Sequence, residues 1–127
     1  MIRKLSPLID SMQFRKDNRL LVKKDFDFVF ESPKRTKDSN FTVLFKENSK
    51  NYPRLGLIIS KKNCKHASKR NKLKRIIRES FRNNISKLKG HDIVVLNKHT
   101  TYNNDTNILT ESLMRHWIKI SKEKHHG

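Results

Sequence analysis

The 127-residue chain carries thirty Lys plus Arg against twelve Asp plus Glu, a formal charge of +18. A chain of this length builds one hydrophobic core, and so large an excess of cations opposes compaction and calls for a polyanionic partner. No run of about 18 apolar residues exists, so no segment reads as a membrane-spanning helix.

Residues 1–13 read as a flexible basic arm, 14–121 as a single domain and 122–127 as a tail. In "MIRKLSPLIDSM" the apolar stretch is broken by Ser6, Pro7 and Asp10, too early for a secretory signal. One cysteine, Cys64, cannot form an internal disulfide, which suits a reducing compartment. The expected location is the cytoplasm.

Val22, Phe26, Val29 and Phe30 recur at helical spacing, so a short helix is expected over 23–31, stopped by Ser32-Pro33. "SPKRTKDSN" reads as a charged surface loop. "FTVLFKE", 41–47, alternates as a strand does, and "RLGLIIS", 54–60, has the continuous apolarity of a strand covered on both faces. Asn51 to Pro53 should turn the chain and pair these two strands antiparallel. Residues 68–88 form the longest expected helix, with Gly90 as its left-handed stop. "DIVVLNK", 92–98, is a third strand, and Leu109, Leu113, Trp117 and Ile120 line one stripe of a last helix. The order αββαβα predicts an α/β (α+β) two-layer sandwich, helices packed on a small mixed sheet.

On the long helix, Leu73, Ile76, Ile77, Phe81, Ile85 and Leu88 gather on one side. Asn71, Arg75, Arg78 and Arg82 fall on the other, a polar ridge about 16 Å long. A Lys/Arg-rich helix face is often merely solvated, but such faces usually carry balancing acids. From Lys61 to Lys89 there are twelve Lys or Arg and one acid, Glu79. Pairing along the helix cannot neutralise that face, and the planar fork of Arg suits phosphate.

The segments "NRLLVKKDFDFVF" (18–30), "RLGLIISKK" (54–62), "ASKRNKLKRIIRESFR" (67–82) and "DIVVLNK" (92–98) together resemble the protein subunit of bacterial ribonuclease P, in that family's order and spacing. The resemblance implies a subunit of an endonuclease whose large RNA, with bound Mg²⁺, removes the 5′ leader of precursor tRNA. It implies that the protein is monomeric and pairs one to one with that RNA. It also implies a left-handed βαβ crossover in a sandwich like that of a ribosomal-protein domain, although the general rule favours a right-handed one.

By the same resemblance, Lys61, Lys62, Lys69, Arg70, Asn71, Lys72, Lys74, Arg75, Arg78 and Arg82 are expected to bind the catalytic RNA. Lys72 stands where the family more often has Arg, and Ser68 replaces a small apolar residue. Phe26, Phe30 and Phe45 are expected to line a cleft between the first helix and the sheet where the leader passes. Aromatic faces stack on bases with little sequence preference, at about 1–3 kcal/mol per base. From spacing alone, Phe26 and Phe30 read as core more often than not, since they share the apolar stripe with Val22 and Val29.

A nuclease acting alone would need clustered carboxylates or a positioned His. Asp25 and Asp27 point about 200° apart on a helix, and Cys64-x-His66 lacks a second ligand pair for zinc. Gly56, Gly90 and Gly127 form no phosphate-binding loop, so neither a small-molecule substrate nor a protein-bound cofactor is expected. Cys64 has basic neighbours but no motif that makes it a nucleophile. The competing readings are a ribosomal or general structured-RNA-binding protein without a leader site, and a metal-dependent nuclease acting alone.

Overall fold

A computed structural model describes residues 18–20, 22–99, 101 and 105–123. Strand β2 (Phe41–Glu47) alternates as its sequence demands. Phe41, Val43 and Phe45 enter one apolar cluster and Leu44 the other. Its antiparallel partners are β1 (Lys34–Lys37) on one side and β4 (His91–Asn97) on the other, and β4 pairs in parallel with β3 (Arg54–Ile58). The strand order is β1-β2-β4-β3.

Two expectations change here. Lys34–Lys37, read as loop, is an edge strand, because Asp38 closes a tight hairpin to β2. Its Oδ1 accepts the amides of Asn40 and Phe41, each at 2.9 Å, a local bond that fixes the turn. The strands over 41–47 and 54–58 are not paired with each other, because β4 lies between them. Ile93, Val94 and Val95 are all buried, and a strand apolar on both faces belongs in the middle of a sheet. The order is therefore αβββαβα.

On one face of the sheet lie helices α2 (Ala67–Arg82) and α3 (Thr106–Lys122). Leu73, Ile77 and Phe81 of α2 meet Leu109, Leu113, Trp117 and Ile120 of α3 over Phe41, Val43 and Ile93. The Trp117 indole donates to Ser80 Oγ at 2.8 Å, satisfying two polar groups in the core. The long helix expected to reach residue 88 ends at Arg82, because Asn84 turns back and donates to the Ser80 carbonyl at 2.7 Å. A 3-10 turn, Ile85–Leu88, then returns Leu88 to the core, and Gly90 takes φ 83° ahead of β4. Asp105 caps α3 by accepting from the Ile108 amide at 3.0 Å. Lys122, assigned to the tail, is the last residue of α3, and Glu123 beside it pairs with Lys34 at 2.8 Å.

The other face carries α1 (Lys23–Phe30) and the segment 18–20, whose Leu20 amide donates to the Leu55 carbonyl at 3.0 Å along the outer edge of β3. Leu20, Val29, Leu44 and Val94 form a second small cluster there. The arm at 1–13 lies outside the described residues.

Candidate nucleic-acid interface

Helix α2 begins after a loop that the fold holds rigidly. Ser60 receives its amide bond from Asn97 Oδ1 at 2.9 Å, with the Ser60 N–H donating, and Asn63 Nδ2 donates to the Asn97 carbonyl at 3.2 Å. The Cys64 side chain is buried, so this thiol packs the loop from beneath. Arg70 closes the loop by donating to the Cys64 and Lys65 carbonyls at 3.0 and 2.9 Å. Its guanidinium, read from sequence as an RNA ligand, is already engaged in positioning the turn.

The remaining cations divide by face. Lys61, Lys62, Lys69, Asn71, Lys72, Arg75 and Arg78 are exposed, and Lys74 is half-buried. Arg82 is half-buried and paired with Glu79 one turn back, so the outer ridge effectively runs from Lys69 to Arg78. Lys62, Asn63, Lys65, His66 and Lys69 surround a shallow hollow of about 210 Å³ at the start of α2. No acidic residue sits in the first turn of α2, leaving the positive end of the helix dipole uncompensated.

Sequence reasoning missed Arg19. Paired beside Leu55 on the outer edge of β3, it lies close enough to Arg78 to lower the Arg78 pKa, after burial, which is the larger cause. Two guanidinium groups held together repel each other, and a phosphate between them relieves that repulsion. The signal available in the sequence was the run "NRLLV", in which Arg19 is the only cation.

Helix α1 crosses the strands. At its start Asp25 lies 3.5 Å from Arg54 of β3, and at its end Lys46 of β2 donates to the Phe28 and Glu31 carbonyls at 3.0 and 2.9 Å. Arg54 in turn holds the fully buried Asp92 carboxylate through two bonds of 2.9 and 2.6 Å. The helix covers Leu44, Val94 and Gly56. The next row, formed by the register partners Thr42, Leu96 and Ile58, is only half-buried, with Ile58 36% exposed. An open strip therefore runs across three strands beside α1.

The aromatic residues expected together in this cleft separate. The Phe26 ring is half-buried and lies directly on Gly56, whose position would place a Cβ 2.5 Å from its edge. Phe30, one turn on, is 42% exposed. Phe45 is 3% exposed on the opposite face, edge-on to His91 with ring centroids 6.0 Å apart. Alternation explains the error: Thr42, Leu44 and Lys46, not Phe45, are the β2 residues that look toward α1. Phe28, not singled out in the sequence, is 38% exposed with the Lys46 ammonium 4.2 Å above its ring, a cation–π contact.

No three His, Cys, Asp or Glu side chains converge on a possible metal position among the described residues. No described helix is long and apolar enough to cross a membrane.

The family model for ribonuclease P matches residues 14–121. The chain belongs to the ribonuclease P protein family. It is 43% identical over 112 residues to the ribonuclease P protein component of Aliivibrio fischeri, covering 86% of this chain and 93% of that one. The Legionella pneumophila component is 42% identical over 108 residues, covering 85% and 93%. Among solved structures, the Thermotoga maritima RNase P protein superposes with a TM-score of 0.72 at 33% identity, over 84% of this chain and 98% of that one. A Staphylococcus aureus RNase P protein mutant, described as defective in mRNA degradation activity, gives 0.77 at 29% identity, over 92% and 98%. Within this ribonuclease P protein fold, the ridge of α2 presents a run of exposed cations and the strip beside α1 presents an open, partly apolar surface.

Proposed function

We infer that the chain is the protein subunit of ribonuclease P, which binds the catalytic RNA through α2 and the single-stranded 5′ leader of precursor tRNA along the strip beside α1. The observation that carries this reading is the division of α2. Leu73, Ile77 and Phe81 lock one side into the core, while Lys69, Lys72, Arg75 and Arg78 stand exposed on the other. Such a face binds phosphates without rearranging, and each phosphate it neutralises releases counterions.

Leader binding falls to Phe30, the exposed edge of Phe26 and the strip of Thr42, Leu96 and Ile58, a surface that receives bases of any identity. Phe45 is a core residue in this reading. In this reading hydrolysis, and the Mg²⁺ that it uses, belong to the RNA, while the protein supplies binding and orientation. One protein molecule serves one RNA, in the cytoplasm.

The deciding experiment is cleavage of precursor tRNA by a bacterial ribonuclease P RNA at low Mg²⁺, with and without this protein freed of RNA. Cleavage at the mature 5′ end only when both are present is expected. Indiscriminate duplex binding without stimulation would instead mark a general RNA-binding protein, and cleavage by RNA-free protein would mark a nuclease in its own right. Within the complex, Arg75→Ala should weaken affinity for the catalytic RNA, whereas Phe30→Ala should chiefly reduce the preference for substrates that carry a leader. Equal losses in both assays would show that the two residues are structural.

A further inference from the structure

On the far edge of the sheet from α2, strand β1 and the last turns of α3 face each other across a shallow basin of about 400 Å³. Arg35 and Lys37 stand on one rim and Lys119 and Lys122 on the other, with Thr36 and Phe45 beneath; Glu123, the one acid in the lining, leaves the cations in excess by four to one. None of these four cations has an ion-pair partner among the described residues. The neighbouring charges are engaged: Lys34 with Glu123 at 2.8 Å, and Arg115 3.5 Å from Asp38.

Each rim taken alone has an ordinary explanation. Cations near a helix C-terminus complement its dipole, and charged residues on an edge strand discourage strand-to-strand association. Neither explanation requires the two sets to meet around one concavity, where four like charges repel one another.

We propose that this basin is a second phosphate-binding surface, which holds a stretch of the ribonuclease P RNA apart from the one bound by α2. The proposal rests on the ribonuclease P reading and extends it to the opposite edge of the fold. Three interstrand steps, about 14 Å, separate β1 from β3, beyond the Debye length of about 8 Å at physiological ionic strength. The two cationic surfaces therefore attract phosphates independently.

The basin offers no aromatic face to a base. Phe45, its one aromatic residue, is 3% exposed, so stacking is unavailable and the contact is to the sugar-phosphate backbone. Such binding is indifferent to sequence and sensitive to salt. An RNA strand meets the chemistry of four unpaired cations without requiring any side-chain pocket.

The test uses the full-length protein and the catalytic RNA, with affinity measured across monovalent salt concentrations. Two double variants, Arg35→Gln with Lys37→Gln and Lys119→Gln with Lys122→Gln, should each make the dependence of log K on log salt shallower by about 1.5, as expected for two lost phosphate contacts. The ratio of affinities for precursor and mature tRNA in the complex should stay unchanged, because the leader strip lies on another part of the sheet. Thermal melts of the free variants confirm folding, since all four side chains are exposed. Wild-type slopes in both variants, with the parent protein still binding and stimulating the RNA, overturn the second surface alone and point to an acidic protein as the basin's partner. Failure of the parent protein to bind the catalytic RNA overturns the ribonuclease P reading and this surface together.

Discussion

Replacing Gly56 by Ala tests how α1 is seated. A Cβ built at Gly56 would lie 2.5 and 2.7 Å from Cε1 and Cζ of Phe26 and 3.1 Å from Leu20. Ordinary carbon contacts need about 3.5 Å or more, so the ring must retreat by about 1 Å, carrying α1 with it. Overpacking of this kind costs about 1–3 kcal/mol. Phe26→Leu alone should also destabilise by loss of buried area, yet it removes the atoms that collide. The double variant should then be more stable than the sum of the single effects requires, with a coupling of about 1 kcal/mol, in the range found for residues in contact. Urea unfolding of the four proteins measures that coupling, and labelled precursor tRNA reports whether leader affinity follows it. Additive effects, or Gly56→Ala within about 0.3 kcal/mol of the parent, would refute the idea that the glycine exists to admit the Phe26 ring.

Arg54→Ala should destabilise by about 3–5 kcal/mol in the same assay, because it leaves the fully buried Asp92 carboxylate with one bond, from Asn48 at 2.8 Å. A loss below about 1 kcal/mol would class the pair with exposed ones. Stability should also fall in acid in two steps. Burial lowers the His116 pKa from 6.5 despite the opposing pull of Asp38. For Asp38, burial raises the pKa but is outweighed by the Ser112 hydroxyl, the Phe41 and Asn40 amides and His116, so the net shift is downward from 3.8. With both values depressed in the fold, the unfolded chain binds more protons, and stability present above about pH 6.5 is lost first through His116 and then, below about 3.8, through Asp38. Asp38→Asn should abolish the lower step, and its persistence in urea melts from pH 5 to 2 would exclude Asp38 as the cause.

The two-faced character of α2 was legible because hydrophobic period and charge imbalance are both local, and Leu73, Ile77 and Phe81 are core while Arg75 and Arg78 are exposed. The hairpin of β1 was hidden because "KRTK" has no apolar residue to mark it. Its one buried side chain, Thr36, is held by distant contacts, lying 3.1 Å from His116 Nδ1. Strand pairing was misread for a related reason: a turn at Asn51 to Pro53 says that the chain reverses, not which strand will fill the gap. Phe45 shows the limit of carrying roles along a sequence. Aromatic character transfers by resemblance, but in a strand a displacement of one residue moves a side chain to the other face. Arg70 matched a signature of RNA contact while its nearest duty, bonding two loop carbonyls, is visible only in three dimensions.

The central place of β4 also sets the order in which the molecule can be completed. Strands β1 and β2 can close their hairpin early during synthesis, but the inner edge of β2 and that of β3 both wait for β4, which emerges after the whole of α2. A sheet closed by its last strand relies on contacts between residues far apart in sequence, which slows folding. The nascent basic helix therefore emerges before the surface that will hold its apolar side is complete, since Ile93 and Val95 of β4 and the stripe of α3 are still to come. Assembly of a working RNA-binding face is therefore a single late event, and truncation anywhere before Asn97 removes it entirely rather than in part.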